Sequence, residues 1–239
     1  MATRLVRLDA VESTNDEAKA LIAEGAEPWT VVIAQKQLRG KGRFGRSWIS
    51  PRGGLYVSIL LRKELEWLPV ISMAASLAVG EALASLGLVT SLKWPNDVQV
   101  GGAKVAGILV EGLVGPEAYW AIVGIGINSD VSRDRLPGGI DTPATTLREE
   151  LGGAVDNEEL LSRLLRVFRG YVEGLKDPAE IVQAYRDRCA TLGRDVVVDT
   201  GKGIVRGKAV TIGESGVLVI RQPSGAHVEV ADGTVRDPT

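Results

Sequence analysis

The sequence contains very little cysteine or histidine. Cys189 and His227 are the only residues of their types among 239, which excludes an internal disulfide and a metal site built from cysteine and histidine. A chain without disulfides is typical of a reducing compartment, so we expect a cytoplasmic protein. At the N-terminus no basic stretch leads into an apolar segment, and we identify no run of membrane-spanning length. We therefore expect no membrane contact.

An excess of one charge is also lacking. The 28 basic and 30 acidic residues leave a formal net charge of −2, so no global field draws the protein towards nucleic acid. We therefore expect no nucleic-acid partner, and an anion site has to be built locally. With 45% hydrophobic residues the chain can bury a substantial core, and its length suits one medium domain and one small domain.

The spacing of apolar residues predicts an α+β fold in two parts. Thr14 and Glu17 have the spacing of a capping box at the start of the first helix. Predicted helices cover 11–25, 69–86, 157–172 and 178–188, and predicted strands cover 29–34, 55–61, 98–100, 104–110 and 119–127. Short β-rich runs follow at 195–200, 204–212, 217–221 and 226–230. We predict a mixed, mainly antiparallel sheet backed by helices over 1–188, and a small β-barrel over 189–239.

The segment 37–48 contains the clearest local motif. Eight of its positions hold four cations and three glycines, which are Arg39, Gly40, Lys41, Gly42, Arg43, Gly45 and Arg46. Glycines let backbone amides approach an anion, and the cations supply charge. The glycines also fit G-x-G-x-x-G, but no helix pattern follows, which argues against a dinucleotide-binding fold. The segment is either an anion-binding loop or an exposed basic loop without function.

A second cluster joins a predicted strand end to the start of the next strand. Asn96 and Asp97 follow Lys93 and Pro95, and Lys104 begins the following strand. An amide there can hydrogen-bond phosphate, a carboxylate can hold Mg²⁺, and Lys104 could reach the same volume. The alternative interpretation is a turn with an Asx cap.

Taken in order, the motifs at 13–15, 37–48, 93–97 and 104–109 resemble those of the biotin–protein ligases. Segments 124–128 and 143–147 resemble them more weakly, and residues 13–15 also fit a plain helix cap. The resemblance spans nearly the whole chain. It implies the class II synthetase-like fold of biotin and lipoate ligases, in which a mixed sheet backed by helices precedes an SH3-like barrel.

The resemblance also implies roles for individual residues. Arg43 and Lys104 would be the catalytic cations, and Asp97 would hold Mg²⁺. The residues implied to bind biotin are Ser13, Thr14, Asn15, Gln37, Gly40, Lys41, Arg43, Lys104, Gly107 and Gly124. The residues implied to bind ATP are Arg43, Arg46, Trp48, Lys93, Asn96, Asp97, Lys104 and Asn128.

The implied activity is ATP-dependent ligation. Biotin and ATP would form biotinyl-5′-AMP, and biotin would then pass to a lysine of the biotin carboxyl carrier domain of a carboxylase. Longer members of the family carry an N-terminal DNA-binding domain, and this chain begins with the catalytic part, so repressor activity is not implied. A homodimer stays open. The family commonly has arginine at the position of Lys41, where a lysine cannot make a bidentate contact.

Two anions that react with each other repel, so the implied chemistry needs cations. Arg43, Lys104 and Mg²⁺ would offset the repulsion between a carboxylate and the α-phosphate. We expect the loop over 39–47 to order over the intermediate and exclude water. Two alternatives remain, which are a lipoate–protein ligase or octanoyl transferase, and a non-catalytic module that binds anions such as nucleic acid.

Overall fold

The structure is a computed structural model that describes residues 3–115, 118–136, 143–174 and 178–238. A larger N-terminal part precedes a smaller C-terminal β part. The N-terminal elements are β1 (Arg4–Leu8), α1 (Thr14–Ala23), β2 (Thr30–Ala34), β3 (Leu55–Arg62), α2 (Leu68–Ala84), β4 (Thr90–Lys93), β5 (Asp97–Val100), β6 (Ala103–Val114), β7 (Tyr119–Ile127), α3 (Leu147–Leu151), α4 (Asn157–Gly174) and α5 (Pro178–Arg188). The C-terminal strands are β8 (Asp195–Asp199), β9 (Ile204–Ile212), β10 (Leu218–Arg221), β11 (His227–Val230) and β12 (Thr234–Arg236).

Seven strands form the N-terminal sheet in the order β1-β2-β3-β7-β6-β5-β4. Only the β1–β2 pair is parallel among these described strands, because α1 crosses between them and returns the chain to the same edge. The β5–β6 hairpin turns at Gly101 and Gly102, whose φ angles of 57° and 81° favour glycine. The predicted α+β class with a mixed, mainly antiparallel sheet is confirmed.

Alternation along the strands divides the sheet between two helical layers. Val31 and Ile33 face the core formed with α2, α4 and α5, whereas Val32 faces the other side, where Ala18 and Leu21 of α1 pack. Neighbouring residues of a strand point to opposite faces, so a strand covered on both sides is apolar throughout. The uninterrupted burial of β2 follows from this arrangement.

Helix α2 is apolar along nearly its whole length. The stretch Leu65–Ala84 has the length and composition of a membrane span, so the expectation that no run reaches that length was wrong. In the structure most of this stretch is buried, and α2 packs against the sheet, α4 and α5. Contact on several sides explains its composition, because a helix buried all round is hydrophobic all round.

The start of α1 differs from the capping box that we predicted. Ser13 occupies the cap position and its side chain caps no amide. Instead, the backbone N–H of Thr14 donates to Oε1 of Gln37 at 2.8 Å. In the predicted capping box, the side chain of Glu17 would accept from the backbone N–H of Thr14. In the structure Gln37, from the adjacent loop, accepts from that N–H instead. By contrast, Asp156 caps α4 as such patterns predict, since its Oδ1 accepts from the amide of Glu158 at 2.8 Å.

The C-terminal strands form a separate antiparallel sheet in the order β11-β10-β9-β8-β12. The predicted small C-terminal β domain is confirmed. It contacts the N-terminal part through Trp94, whose indole Nε1 donates to the carbonyl of Gly216 at 3.0 Å and whose backbone N–H donates to Thr191 Oγ1 at 3.0 Å. Strands β1, β4 and β12 and the short helix α3 were not predicted, because each is at most five residues long and carries a weak periodic signal.

Replacing Leu77 tests the position of α2 in the core. Its side chain is fully buried, so Leu77→Ala leaves a cavity and should lower the free energy of unfolding by about 2–5 kcal/mol. Urea denaturation followed by circular dichroism measures the change. Val89→Ala is the control, because Val89 is 87% exposed and its loss should change stability by less than about 0.5 kcal/mol. Equal effects of the two variants would contradict the packing described above.

Candidate functional site

A cavity of about 210 Å³ opens on the α1 face of the sheet. Its lining unites residues from both ends of the sequence, with contributions from the 37–49 loop, the 93–97 segment, β6, β7 and the C-terminal domain. It contains nearly the whole predicted site, namely Ser13, Thr14, Asn15, Gln37, Lys41, Arg43, Arg46, Trp48, Lys93, Asn96, Asp97, Lys104, Gly107, Gly124 and Asn128. The structure thus brings together residues that the sequence separates by up to 115 positions, from Ser13 to Asn128.

Gly40 is the one predicted site residue outside this lining. A side chain there would place Cβ 2.4 Å from the carbonyl oxygen of Trp48 and 2.9 Å from Nε2 of Gln37. Glycine therefore lets the loop pass directly behind Gln37. Its role in biotin binding stays a prediction, and the geometry supports a role in packing.

The floor of the cavity is made by glycines. On the α1 face of β7, the large residues Trp120 and Ile122 are followed by Gly124 and Gly126. Gly126 pairs with Gly107 of β6, and a Cβ on Gly126 would lie 2.4 Å from the indole nitrogen of Trp48. The absent side chains create the space that the Trp48 ring partly fills. Gly126 was missed as a site residue, although the alternating glycines at 124 and 126 within an apolar strand were a readable signal.

One end of the cavity is polar and uncharged. Oε1 of Gln37 accepts from the backbone N–H of Thr14 at 2.8 Å and lies 3.1 Å from its hydroxyl. Nε2 of Gln37 donates to Ser50 Oγ at 2.9 Å. Behind them, Ser58 is fully buried and its hydroxyl lies 2.8 Å from that of Thr14. This end can offer both donors and acceptors to a neutral polar ligand.

Ser50 and Ser58 were missed as supporting residues. Ser58 interrupts the otherwise buried apolar strand β3, and a buried hydroxyl needs a hydrogen-bond partner. A small polar residue inside a continuous apolar strand was therefore a signal that the sequence contained.

The other end of the cavity is cationic. Nζ of Lys104 lies 2.6 Å from Oδ1 of Asp97 and 5.1 Å from the centroid of the Trp48 ring. Nη1 of Arg43 donates to Oδ1 of Asn96 at 3.2 Å. The neighbouring residues 96 and 97 thus each hold one of the two cations. Nδ2 of Asn96 in turn donates to the carbonyl of Ile108 at 2.7 Å, which fixes the orientation of its amide.

Burial changes the protonation equilibrium of Arg43. Its side chain is only 18% exposed, and this desolvation lowers its pKa to about 10, although the nearby Asp97 carboxylate partly offsets the effect. Arg43 therefore stays positively charged near neutral pH. Burial also lowers the pKa of Lys93 at the same end of the cavity. Charges that are poorly hydrated stabilise an incoming anion more strongly than exposed ones.

The C-terminal domain reaches into the site. Asp232 forms an ion pair with Arg43, and Nη2 of Arg46 donates to Oγ1 of Thr234 at 2.6 Å. Val235 also lines the cavity. None of these C-terminal residues was predicted, because a short polar turn between two weak strands carries no local functional signal.

No α-helix directly follows the glycines of the basic loop. Arg43–Gly45 forms a single 3-10 turn in which Phe44 has φ 56° and Gly45 has φ 70°. The chain then runs to β3 without a helix, which confirms that the G-x-G-x-x-G match is not a dinucleotide fingerprint. Lys41 forms an ion pair with Asp16 at the outer part of the loop.

The described residues include no group of three or more His, Cys, Asp or Glu side chains that could hold a metal ion. Asp97 is the one carboxylate among the described residues that line the cavity, and its Oδ1 is already engaged by Lys104. Mg²⁺ is commonly held by one or two carboxylates together with substrate phosphates. Asp97 fits that mode of binding and does not fit a cage made only of protein ligands.

At the edge of the cavity, Nδ2 of Asn128 donates to the carbonyl of Thr145 at 3.1 Å.

Comparisons with known proteins agree with this geometry. The model of the biotin/lipoate A/B protein ligase family matches residues 8–128, and the model of the biotin protein ligase C-terminal domain matches residues 191–235. The chain is 37% identical over 232 residues to the biotin--[acetyl-CoA-carboxylase] ligase of Paracoccus denitrificans, covering 92% of this chain and 95% of that protein. It is 34% identical to the protein of the same name from Mycobacterium tuberculosis, covering 93% and 85%.

A solved structure shows the same architecture. The biotin protein ligase from Aquifex aeolicus in complex with biotin and ATP superposes with a TM-score of 0.87 and 33% sequence identity, covering 99% of this chain and 100% of that one. The fold, the cavity and these similarities lead to one assignment: the chain belongs to the biotin/lipoate A/B protein ligase family.

Proposed function

We propose that this protein is a biotin–protein ligase, which joins biotin and ATP into biotinyl-5′-AMP and then transfers biotin to a specific lysine on the biotin carboxyl carrier domain of a carboxylase. The observation that carries the proposal is a single cavity with a neutral polar end at Thr14 and Gln37 and a cationic end at Arg43 and Lys104. Biotin has a neutral ureido group at one end and a carboxylate at the other. The cavity matches both ends of that molecule.

Electrostatics explains why two cations lie together. A carboxylate and a phosphate about 4 Å apart repel by on the order of 4 kcal/mol at the effective dielectric of a partly desolvated site. Arg43 and Lys104 offset that repulsion and hold the carboxylate against the α-phosphate. Mg²⁺, when bound at Asp97 with the phosphates, supplies further positive charge. The remaining phosphate contacts fall to Lys93, Arg46 and Asn96.

Asp97 and Asp232 keep the cations ready before the substrates arrive. Asp97 pairs with Lys104, and Asp232 pairs with Arg43. Buried cations without partners would be costly, so the carboxylates stabilise the free enzyme. When anionic substrates bind, they take over these contacts. This exchange needs little rearrangement, because the cations already face the cavity.

The loop over 39–47 is suited to shield the intermediate. Arg46 and Arg43 connect it to the C-terminal domain, and Lys41 connects it to α1 through Asp16. A mixed anhydride is hydrolysed when water reaches it, so a loop fastened at several points prolongs its lifetime. Lys41 is engaged in this ion pair, which supports a role in holding the loop.

The alternatives explain the cavity less well. The dithiolane ring of lipoate has neither a carbonyl nor an N–H group, and so it would leave the polar end at Thr14 and Gln37 unmatched. The relatives reported above are also named for biotin. A non-catalytic module for nucleic acid would present its cations on an exposed surface, whereas Arg43 and Lys104 line a cavity and their side chains are only 18% and 25% exposed.

Further parts of the proposal concern the whole protein. The boundary between the two domains falls between residues 188 and 189, which is supported by the end of α5 at Arg188 and by the start of the C-terminal family match at residue 191. A cytoplasmic location is supported by the single cysteine, which is buried and forms no disulfide. The acceptor is a carboxylase biotinyl domain. Light scattering would measure whether the protein forms a homodimer.

A direct assay tests the function. The purified protein is incubated with ATP, Mg²⁺ and either biotin or lipoate, together with a biotinyl-domain acceptor that is then weighed by mass spectrometry. We expect the mass of one biotinyl group to be added in the presence of ATP and biotin. Addition of a lipoyl group, or no addition with either acid, would contradict the proposal.

Lys104→Ala tests the cationic end. Removing the charge that faces both anions should slow formation of the adenylate by at least about 10²–10³-fold, while the protein stays folded because Lys104 is partly exposed. Biotin-dependent exchange between pyrophosphate and ATP measures the effect. Lys202→Ala, in the exposed turn between β8 and β9, is the control and should exchange normally. Near-normal exchange by Lys104→Ala would rule out its role.

Arg43→Gly tests retention of the intermediate. Without the guanidinium that joins the loop to Asn96 and Asp232, biotinyl-5′-AMP should leave the site faster. Released adenylate reacts with exposed amines, so biotinylation of lysines on an unrelated protein such as serum albumin should rise at least about tenfold. Arg39→Gly is the control, because Arg39 lies in the same loop and is 81% exposed. An unchanged level with Arg43→Gly would show that Arg43 does not retain the intermediate.

A further inference from the structure

A second cavity, of about 330 Å³, lies between the start of α2, strand β6 and the C-terminal domain. Arg43, Phe44 and Asn96 line both this cavity and the main one. The two cavities therefore adjoin at the cationic end of the site, where the carboxylate of biotin meets the α-phosphate in the proposed reaction. A group that enters through the second cavity arrives directly at the reacting end.

The second cavity combines apolar walls with one carboxylate. Leu68 and Met73 of α2 and Val110 of β6 belong to the walls, and Asp232 is the one acidic residue among the described residues of the lining. The Asp232 carboxylate lies where the two cavities adjoin, because it forms an ion pair with Arg43. The backbone N–H of Gly233 donates to its Oδ1 at 2.7 Å, which helps to fix its position.

This combination matches the side chain of a lysine. Lysine has an apolar four-carbon stem that ends in a compact ammonium group. Such side chains bury the stem along apolar surface and keep the charged head with a polar partner. In water the amine of a free lysine is almost entirely protonated near neutral pH. The walls of the second cavity can therefore hold the stem, and Asp232 can hold the ammonium.

The partner of Asp232 changes when the main cavity fills. In the free protein Arg43 neutralises the carboxylate, so a second cation gains little from it. Anionic substrates that bind Arg43 remove this partner and leave the negative charge of Asp232 available. An incoming ammonium then replaces the guanidinium. The exchange makes binding of an amine at Asp232 stronger once the main cavity is occupied.

We propose that the second cavity is the binding site for the acceptor lysine side chain, and that Asp232 holds the ammonium there after the substrates have drawn Arg43 away. This inference rests on the proposed function, in which a lysine of a biotinyl domain is the acceptor. It concerns recognition of the ammonium, which precedes the loss of its proton and its attack on the activated carboxyl group. Asp232 thus has two cationic partners in turn.

A double-mutant cycle between the protein and its acceptor tests the inference. The protein is loaded with an analogue of biotinyl-5′-AMP in which a CH₂ group replaces the reactive carbonyl, so that no transfer occurs. Isothermal titration calorimetry then measures the Kd of a biotinyl domain, once with its target lysine and once with methionine in that place. Methionine keeps an unbranched stem and lacks the charge.

Asp232→Asn should weaken binding of the lysine acceptor about tenfold and of the methionine acceptor by less than about threefold. A general disturbance of the 39–47 loop would weaken both acceptors equally, so the difference isolates the contact with the ammonium. Asp232→Glu keeps the charge and should restore most of the difference. Asp237→Asn is the matched control, because it also removes a C-terminal carboxylate that pairs with an arginine and lines neither cavity.

The outcomes separate the inference from the function. If the wild-type protein forms no adenylate with biotin, the proposed function itself fails. If the wild type is active and Asp232→Asn changes the binding of both acceptors equally, or of neither, the inference about Asp232 is wrong and the function stands.

A second variant decides if Asp232→Asn does not retain the analogue. Ser72 lines the second cavity and not the main one, so Ser72→Phe places a ring in the proposed path of the lysine stem. Binding of the lysine acceptor that is weaker by at least about threefold supports the inference, and a smaller change overturns it.

Discussion

The site depends on holding two cations, partly out of water, against one small volume. Asn96 contacts Arg43 and Asp97 contacts Lys104, so adjacent residues at one strand end connect the 39–47 loop to the β5–β6 hairpin. Like charges repel, and a desolvated guanidinium is expensive to keep in place. The amide of Asn96 and the carboxylate of Asp97 hold the two cations in place. Anionic substrates that bind there are therefore stabilised by charges that are already positioned.

The sheet provides the rigid side of this arrangement. Strands β3, β6 and β7 are buried in the core on one face, and on the other face of β7 the residues change from large to small towards the cavity. Gly107, Gly124 and Gly126 leave the floor open, and Trp48 lies across it. Precise positions of this kind are easier to maintain on strands than on loops. The loop is left to supply charge and to cover the cavity.

The small C-terminal domain is part of the site. It binds the loop through the contacts of Asp232 with Arg43 and of Thr234 with Arg46, and it receives the indole N–H of Trp94, which stands next to the 95–97 segment. A movement of this domain would change both the loop and the strand end that together hold the cations. The chemistry therefore depends on contacts between domains as well as on residues within the catalytic domain.

The polar end of the cavity also depends on residues that lie behind its lining. Residues that line the cavity, such as Thr14 and Gln37, can each donate or accept when considered alone. Buried residues behind them hold both side chains in place, since the hydroxyl of Ser58 lies 2.8 Å from that of Thr14 and Nε2 of Gln37 donates to Ser50 Oγ at 2.9 Å. Residues outside the cavity lining, such as Ser50, Ser58 and Asp232, thus hold side chains at both ends of the site.

The sequence by itself determined the fold class, the long helices, the longer strands of the first sheet and the main residues of the site. These features depend on local causes: apolar periodicity in α4, glycines and cations crowded into 37–48, and polar groups at the strand end around Asn96 and Asp97. Only the tertiary structure decided what surrounds them. The amide of Thr14 is satisfied by Gln37 in place of a local cap, and Asp232 and Ser58 join the site across gaps that no local pattern spans. Such contacts depend on which residues lie close together in space, and the spacing of residues along the chain does not show this.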